Sequence, residues 1–149
     1  MYKNGGIRIM SIDFKDHGKK PYVVNIEEAT VQNDNYRTTI WTGEKLQVTV
    51  MTIQPNDDIG LEVHKGIDQF IRIEEGQGLC LMGPSEDNLN FEQSVSEDEA
   101  VFVPADMWHN IKNTGDTPLK LYTIYAGPDH IEGTVHPTHE DAKNDPNEH

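Results

Sequence analysis

From Tyr36 to Tyr125 the chain divides into nine short β-rich runs closed by turn signals, and this spacing constrains the fold more than any other feature. The runs are Tyr36 to Thr42, Leu46 to Ile53, Gly60 to His64, Gln69 to Glu75, Leu79 to Met82, Asn90 to Val95, Ala100 to Val103, Trp108 to Asn113 and Leu119 to Tyr125. Between them stand Gly43-Glu44, Pro55-Asn56-Asp57-Asp58, Gly76-Gln77-Gly78, Gly83-Pro84, Asn113-Thr114-Gly115-Asp116 and Gly127-Pro128, residues that favour turn backbones. Strands this short and this regularly punctuated predict an all-β sandwich or barrel. In the second run both alternating sets, Leu46, Val48, Val50 and Gln47, Thr49, Met51, are apolar or small. That strand is expected to face the barrel interior on one side and a second layer or a subunit partner on the other.

The flanks read differently. Residues 1–35 form a strand and short-helix segment packing on the barrel: Ile7, Ile9 and Ile12 alternate as an edge strand, and Asn25 followed by Glu28 is an N-cap pattern that predicts a helix over Ile26 to Gln32. The barrel occupies 36–128. In the extension 129–149 strand character is lacking, Thr138 to Lys143 suits a helical turn, and Asn144 to His149 reads as disordered.

Composition removes several partners. With 26 acidic against 12 basic residues and a net charge of −14, the chain lacks the clustered cations that a phosphate backbone requires. No apolar run approaches the roughly 20 residues that span a bilayer. No basic stretch followed by an apolar one follows Met1, and one cysteine makes no internal disulfide. A cytoplasmic protein with neither a nucleic-acid nor a membrane partner is expected, with Cys80 a small core residue between apolar neighbours.

The chemistry concentrates in Gly60 to Gly78. Glu62 and His64 alternate, so on a strand they share one face about 6.6–7 Å apart, within reach of a single ion. The Lys65-Gly66-Ile67-Asp68 linker is short enough to fold Gln69 to Glu75 back beside them and set Gln69 across from His64. Farther on, Pro104 ends a strand or puts it at an edge. Asp106 takes a tight turn where Asp tolerates positive φ, and His109 begins a new strand facing the same cavity.

These spacings resemble the two motifs of the cupin superfamily. The first, G(X)5HXH(X)3,4E(X)6G, is matched by Glu62-X-His64-(X)4-Gln69-(X)6-Gly76. The second, G(X)5PXG(X)2H(X)3N, is matched by Asp98-(X)5-Pro104-X-Asp106-(X)2-His109-(X)3-Asn113. The chain is also similar to small bacterial single-domain cupins labelled mannose-6-phosphate isomerase-like, through Trp41-Thr42-Gly43, Asp68-Gln69-Phe70 and Gly133-Thr134-Val135-His136. It departs from the pattern at Glu62, where the family usually has His, at Gln69, where it usually has Glu, and at Asp98 and Asp106, which replace glycines.

The resemblance implies an all-β cupin jelly-roll barrel, or double-stranded β-helix, with one or two short helices, pairing as a homodimer. It also implies one divalent transition metal on Glu62, His64, Gln69 and His109. Two imidazoles, a carboxylate and an amide oxygen make a nitrogen and oxygen set without thiolate, suited to Fe, Mn, Ni or Zn. Two functions stay open. One is a metal-dependent enzyme with isomerase- or dioxygenase-like chemistry on a small oxygen-rich metabolite, a sugar derivative or an oxo acid, with Glu62, Tyr122, Tyr125 and His136 as candidate proton-transfer groups. The other is a non-catalytic module that senses or stores a small-molecule ligand. Of the remaining residues, His130, His136 and His139 read as solvent-exposed rather than reaching the barrel mouth, Arg37 and Arg72 as surface unless they point inward to bind an anionic substrate, and Trp108 as facing away from the ligands.

Overall fold

The computed structural model describes residues 11–148, so the edge strand read at Ile7 and Ile9 lies outside the described residues. Alternation along the strands sorts the side chains into an interior and an exterior. Strands β1 (Arg37–Thr42), β2 (Gln47–Ile53), β3 (Gln69–Glu75), β4 (Gln77–Gly83), β5 (Phe91–Ser96), β6 (Ala100–Val103), β7 (Trp108–Asn113), β8 (Leu119–Tyr125) and β9 (Val135–His136) form two sheets. The larger has the order β6-β3-β8-β2-β1-β9 and the smaller β5-β4-β7. All named pairings are antiparallel, and together the sheets make an all-β jelly roll.

The register creates a polarity gradient inside the barrel. On β2 the interior residues Gln47, Thr49, Met51 and Ile53 lie opposite Tyr125, Thr123, Leu121 and Leu119 of β8. β3 sets Gln69 beside Tyr125 and Ile73 beside Leu121. One end of the interior is therefore aliphatic and closes with Cys80, Val95 and Ile111; the other is polar. Burial among these neighbours pushes the Cys80 thiol up to about 11, which keeps it protonated.

Helix α1 (Ile26–Gln32) has the bounds read from the sequence, and Asn25 caps it by accepting the Glu28 N–H at 3.0 Å. The outer face of β2 meets this N-terminal layer: Tyr22, Val24 and Ile26 surround a cleft with Leu46 and Val48. The helix has no basic residue in its last turn. Instead Lys120, from the outer face of β8, donates to Val31 O at 2.8 Å and Asn33 O at 2.7 Å and pairs with Asp34 at 3.3 Å. Replacing Lys120 with Met keeps the buried stem but leaves two carbonyls without this donor, so we expect a loss of about 2 kcal/mol in urea unfolding. An unchanged midpoint would show that the clasp is idle.

Three sequence readings are corrected. Gly60 to His64 is not a strand: apart from Glu62 exchanging backbone bonds with His109, at 3.0 and 2.9 Å, it runs as loop between the sheets, its entry set by Gly60 at φ +91°. Consequently β3 does not fold back on it but pairs with β6 and β8. The extension does contain a strand, β9, which pairs with Arg37 and Thr38.

Where disorder is expected after Asn144, the described residues run on to Glu148 beyond helix α2 (His139–Lys143). That helix is held by a capping box between Thr138 and Asp141, and His136 ties Asp145 at 2.9 Å. The two motif glycine replacements keep the turns, with Asp98 at φ 70° and Asp106 at φ 66°. Among the described residues no helix is long and apolar enough to cross a membrane.

Candidate metal centre

Two segments meet at the polar end of the barrel. Loop 60–64 lies along the start of β7 through the Glu62–His109 backbone pair, and Asp106 N donates to His64 O at 3.0 Å, which fixes the loop's far end. The result brings Glu62, His64 and His109 together, with one ligand atom from each within 4.8 Å of the others. Glu62 Oε1 lies 3.1 Å from His64 Nε2, and the two imidazole centroids are 5.1 Å apart.

Both rings are oriented from behind. His109 Nδ1 lies 3.1 Å from the Met107 carbonyl oxygen, which only accepts, so Nδ1 carries the proton and Nε2 the lone pair. His64 Nδ1 lies 3.1 Å from Asp129 Oδ1. His64 Nε2 faces Glu62, whereas His109 Nε2 is buried without a hydrogen-bond partner, and so is Gln69 Oε1, whose amide nitrogen donates to Thr123 Oγ1 at 2.7 Å. Gln69 is the β3 neighbour of Tyr125, whose ring stands edge-on to His64 at 5.3 Å. Buried polar atoms without partners cost about 1–3 kcal/mol each. A divalent ion taking nitrogen and oxygen donors relieves that cost, and the backing carbonyl and carboxylate are the outer partners such imidazoles need.

Electrostatics support the same set. Burial raises the Glu62 carboxyl, but His64 and Arg37 outweigh it and hold the group below the usual range, as a carboxylate. Burial lowers His109, keeping its ring neutral. Burial also lowers His64, yet Asp129 and Glu62 overcome it and lift the imidazole from about 6.5 to about 9 in the absence of metal. A raised folded-state value stabilises the metal-free protein fully below the unfolded value and loses that contribution as pH climbs through the folded one. Thermal stability of chelator-treated protein is thus expected to decline between about pH 6.5 and 9 from this group, and metal uptake below pH 9 to release a proton. A His64 ring found neutral at pH 7 by nitrogen NMR would reject this account.

Several sequence readings change here. Arg37 is not on the surface; it is 2% exposed, with Nη2 3.7 Å from Glu62. His130 and His136 are buried and His139 is largely covered, each paired with a carboxylate: Glu148 at 2.9 Å, Asp145 at 2.9 Å and Asp57 at 2.7 Å respectively. Trp108 does not face away but joins Glu62, His64, Asp129, His130 and Glu148 around a cavity of about 450 Å³. Of the proton-transfer candidates, Tyr125 is interior, with its hydroxyl 3.1 Å from His130 Nε2, whereas Tyr122 packs near Phe70 on the outer face. His136 sits on edge strand β9 against Arg37. Arg72 is one-third exposed and pairs with Asp98, in keeping with its surface reading.

Asp129 and Glu148 are site residues that the sequence does not indicate, and Arg37 takes the inward position that its sequence reading gave as the lesser case. Strand parity held a signal for one: Arg37 shares the face of Thr39, which lies opposite interior Thr49. Asp129 and Glu148 carry no local pattern.

Comparison with known proteins agrees with the fold. The family described as Cupin domain matches residues 49–125. Uncharacterized protein YrkC of Bacillus subtilis (strain 168) is 57% identical over 128 residues, covering 86% of this chain and 69% of its own length. Uncharacterized protein L612 of Acanthamoeba polyphaga mimivirus is 40% identical over 115 residues, 76% of this chain and 70% of its own. The crystal structure of BH2720 from Bacillus halodurans superposes with a TM-score of 0.87 at 53% identity, covering 88% of this chain and 99% of that one.

Proposed function

Because the chain belongs to the cupin family, we propose that Glu62, His64 and His109, with Gln69 as a fourth donor, hold one divalent transition metal facing the cavity beside Trp108. The observation that carries this reading is the convergence of Glu62, His64 and His109 beside two buried polar atoms without hydrogen-bond partners, His109 Nε2 and Gln69 Oε1. Such an ion supplies Lewis-acid polarisation of a substrate oxygen. The chain supplies the rest. Asp129 and the Met107 carbonyl hold the rings in place, His64 and Arg37 keep Glu62 ionised, and His130, backed by the Tyr125 hydroxyl, stands at the cavity wall. This suits isomerase- or dioxygenase-like chemistry on a small oxygen-rich metabolite.

A second reading, a binding module without catalysis, is favoured by one observation: the proton-transfer candidates are engaged or remote. Glu62 is ion-paired, His136 is tied to Asp145, and Tyr122 lies outside. Metal analysis of protein purified without chelator tests the centre, and protein that stays metal-free and refuses added Fe, Mn, Ni and Zn sinks it. Turnover in a screen of sugar phosphates and oxo acids then separates enzyme from binder. The isomerase reading fails if loaded protein leaves mannose 6-phosphate unchanged. This reading also keeps a cytoplasmic homodimer. Phe102, 70% exposed on edge strand β6 and stacked edge-on with Phe70, supports pairing there, which light scattering checks.

A further inference from the structure

Where His130 lines the cavity, it and the buried Arg37 behind Glu62 hold a carboxylate from the chain itself. Arg37 Nη1 lies 3.2 Å from Glu148 Oε1, and His130 Nδ1 lies 2.9 Å from Glu148 Oε2. The receptor is rigid: the Arg37 and His130 side chains are 3% and 2% exposed. The Tyr125 phenol, kept protonated by burial, donates to His130 Nε2, leaving Nδ1–H to donate to Glu148. Arg37 Nε is buried without a partner, so the guanidinium has a donor to spare. Arg37 also bridges to the metal centre, since its Nη2 is 3.7 Å from Glu62 Oε2.

The occupant, by contrast, is lightly held. After Ala142 no buried apolar side chain anchors the chain, and Glu148 is positioned by one backbone bond to Asp145 O at 3.0 Å and by the Asp145–His136 pair. Charge argues the same way. A divalent ion and Arg37 together balance Glu62, Asp129 and Glu148, so withdrawal of Glu148 leaves one positive charge uncompensated beside the metal. A monoanionic ligand supplies that missing charge.

We propose that Arg37 and His130 form a carboxylate-binding subsite next to the Glu62–His64–His109 centre, that the small-molecule ligand is a carboxylic acid, and that Glu148 is a tethered competitor occupying the subsite until the ligand displaces it. The ligand class rests on the metal-cupin reading; the subsite itself does not.

Acetate is the probe, titrated calorimetrically into wild-type protein and into Glu148→Ala, each with measured metal content and again after chelator treatment. Removing a tethered carboxylate is expected to tighten acetate binding about tenfold. Arg37→Lys in the Glu148→Ala background is expected to cancel the gain, because an ammonium lacks the guanidinium fork. Should that variant fail to fold, His130→Gln makes the same comparison. A gain seen with or without metal supports the subsite, even if the metal reading fails. Acetate affinity within twofold of wild type in both states overturns it, whatever the metal content.

Discussion

Replacing His64 and His109 together with alanine is expected to turn a protein carrying close to one divalent ion per chain into one that retains almost none. In the proposed centre the two rings contribute the nitrogen donors: His109 Nε2 is a buried lone pair without a partner, and His64 Nε2 becomes one when metal uptake displaces its proton. Disturbing only an outer partner of such a ligand already weakens metal binding about 10–100-fold. Loss of both donors should exceed a hundredfold, leaving Glu62 and Gln69 as weak oxygen donors. The fold should survive, because His109 joins loop 60–64 through its backbone, which alanine preserves. Elemental analysis after dialysis against limiting Mn or Zn, with circular dichroism as the folding control, reads the result. A well-folded double variant with undiminished metal would place the centre elsewhere.

Gly76→Ala is expected to be the most destabilising single methyl addition in the first motif. Gly76 turns the chain from β3 in the large sheet to β4 in the small one at φ +98°, where a Cβ costs roughly 1–2 kcal/mol. That Cβ would also stand 2.9 Å from both Leu119 Cα and Pro118 O, backbone atoms at the start of central strand β8. Neither can move without shifting Leu119, which is fully buried. With about 1–3 kcal/mol for the overlap, the total is about 3 kcal/mol, or about 10 °C in thermal midpoint. Gly66→Ala is the control, because it shares the positive φ, at 71°, but meets nothing within 4 Å. Equal losses for the two variants would show that backbone strain alone, without the contact, explains the effect.

Much of this architecture was legible from local signals. The bounds of β3, β6, β7 and β8 follow from alternation between turn residues, and the α1 bounds follow from the Asn25 cap. Asp98 and Asp106 adopt the left-handed turns that the motif spacing requires. Gly60 to His64 failed as a strand because its alternation is real but its one bridge is the isolated Glu62–His109 pair, so a ladder never forms. The histidines of the extension read as solvated because no local pattern in the sequence fixes them. Their partners are acidic residues distant in sequence: Asp145 and Glu148 come back from the far side of α2, and Asp57 meets His139 only when the extension packs on the barrel.

The sequence by itself determined the fold class, the two motif spacings and the choice of Glu62, His64 and His109 as residues that meet. Period-two burial and turn chemistry act over a few residues, and the motifs fix where each ligand leaves its strand or loop. Only the tertiary structure decided what surrounds them. Arg37, Asp129 and Glu148 come from the first strand, from the turn after β8 and from the stretch beyond α2. Their charges matter because the closed barrel sets them within 4 Å of an imidazole or a carboxylate away from bulk water. Electrostatic coupling of that kind depends on distance and burial across the fold, and neither is written in any short stretch of chain.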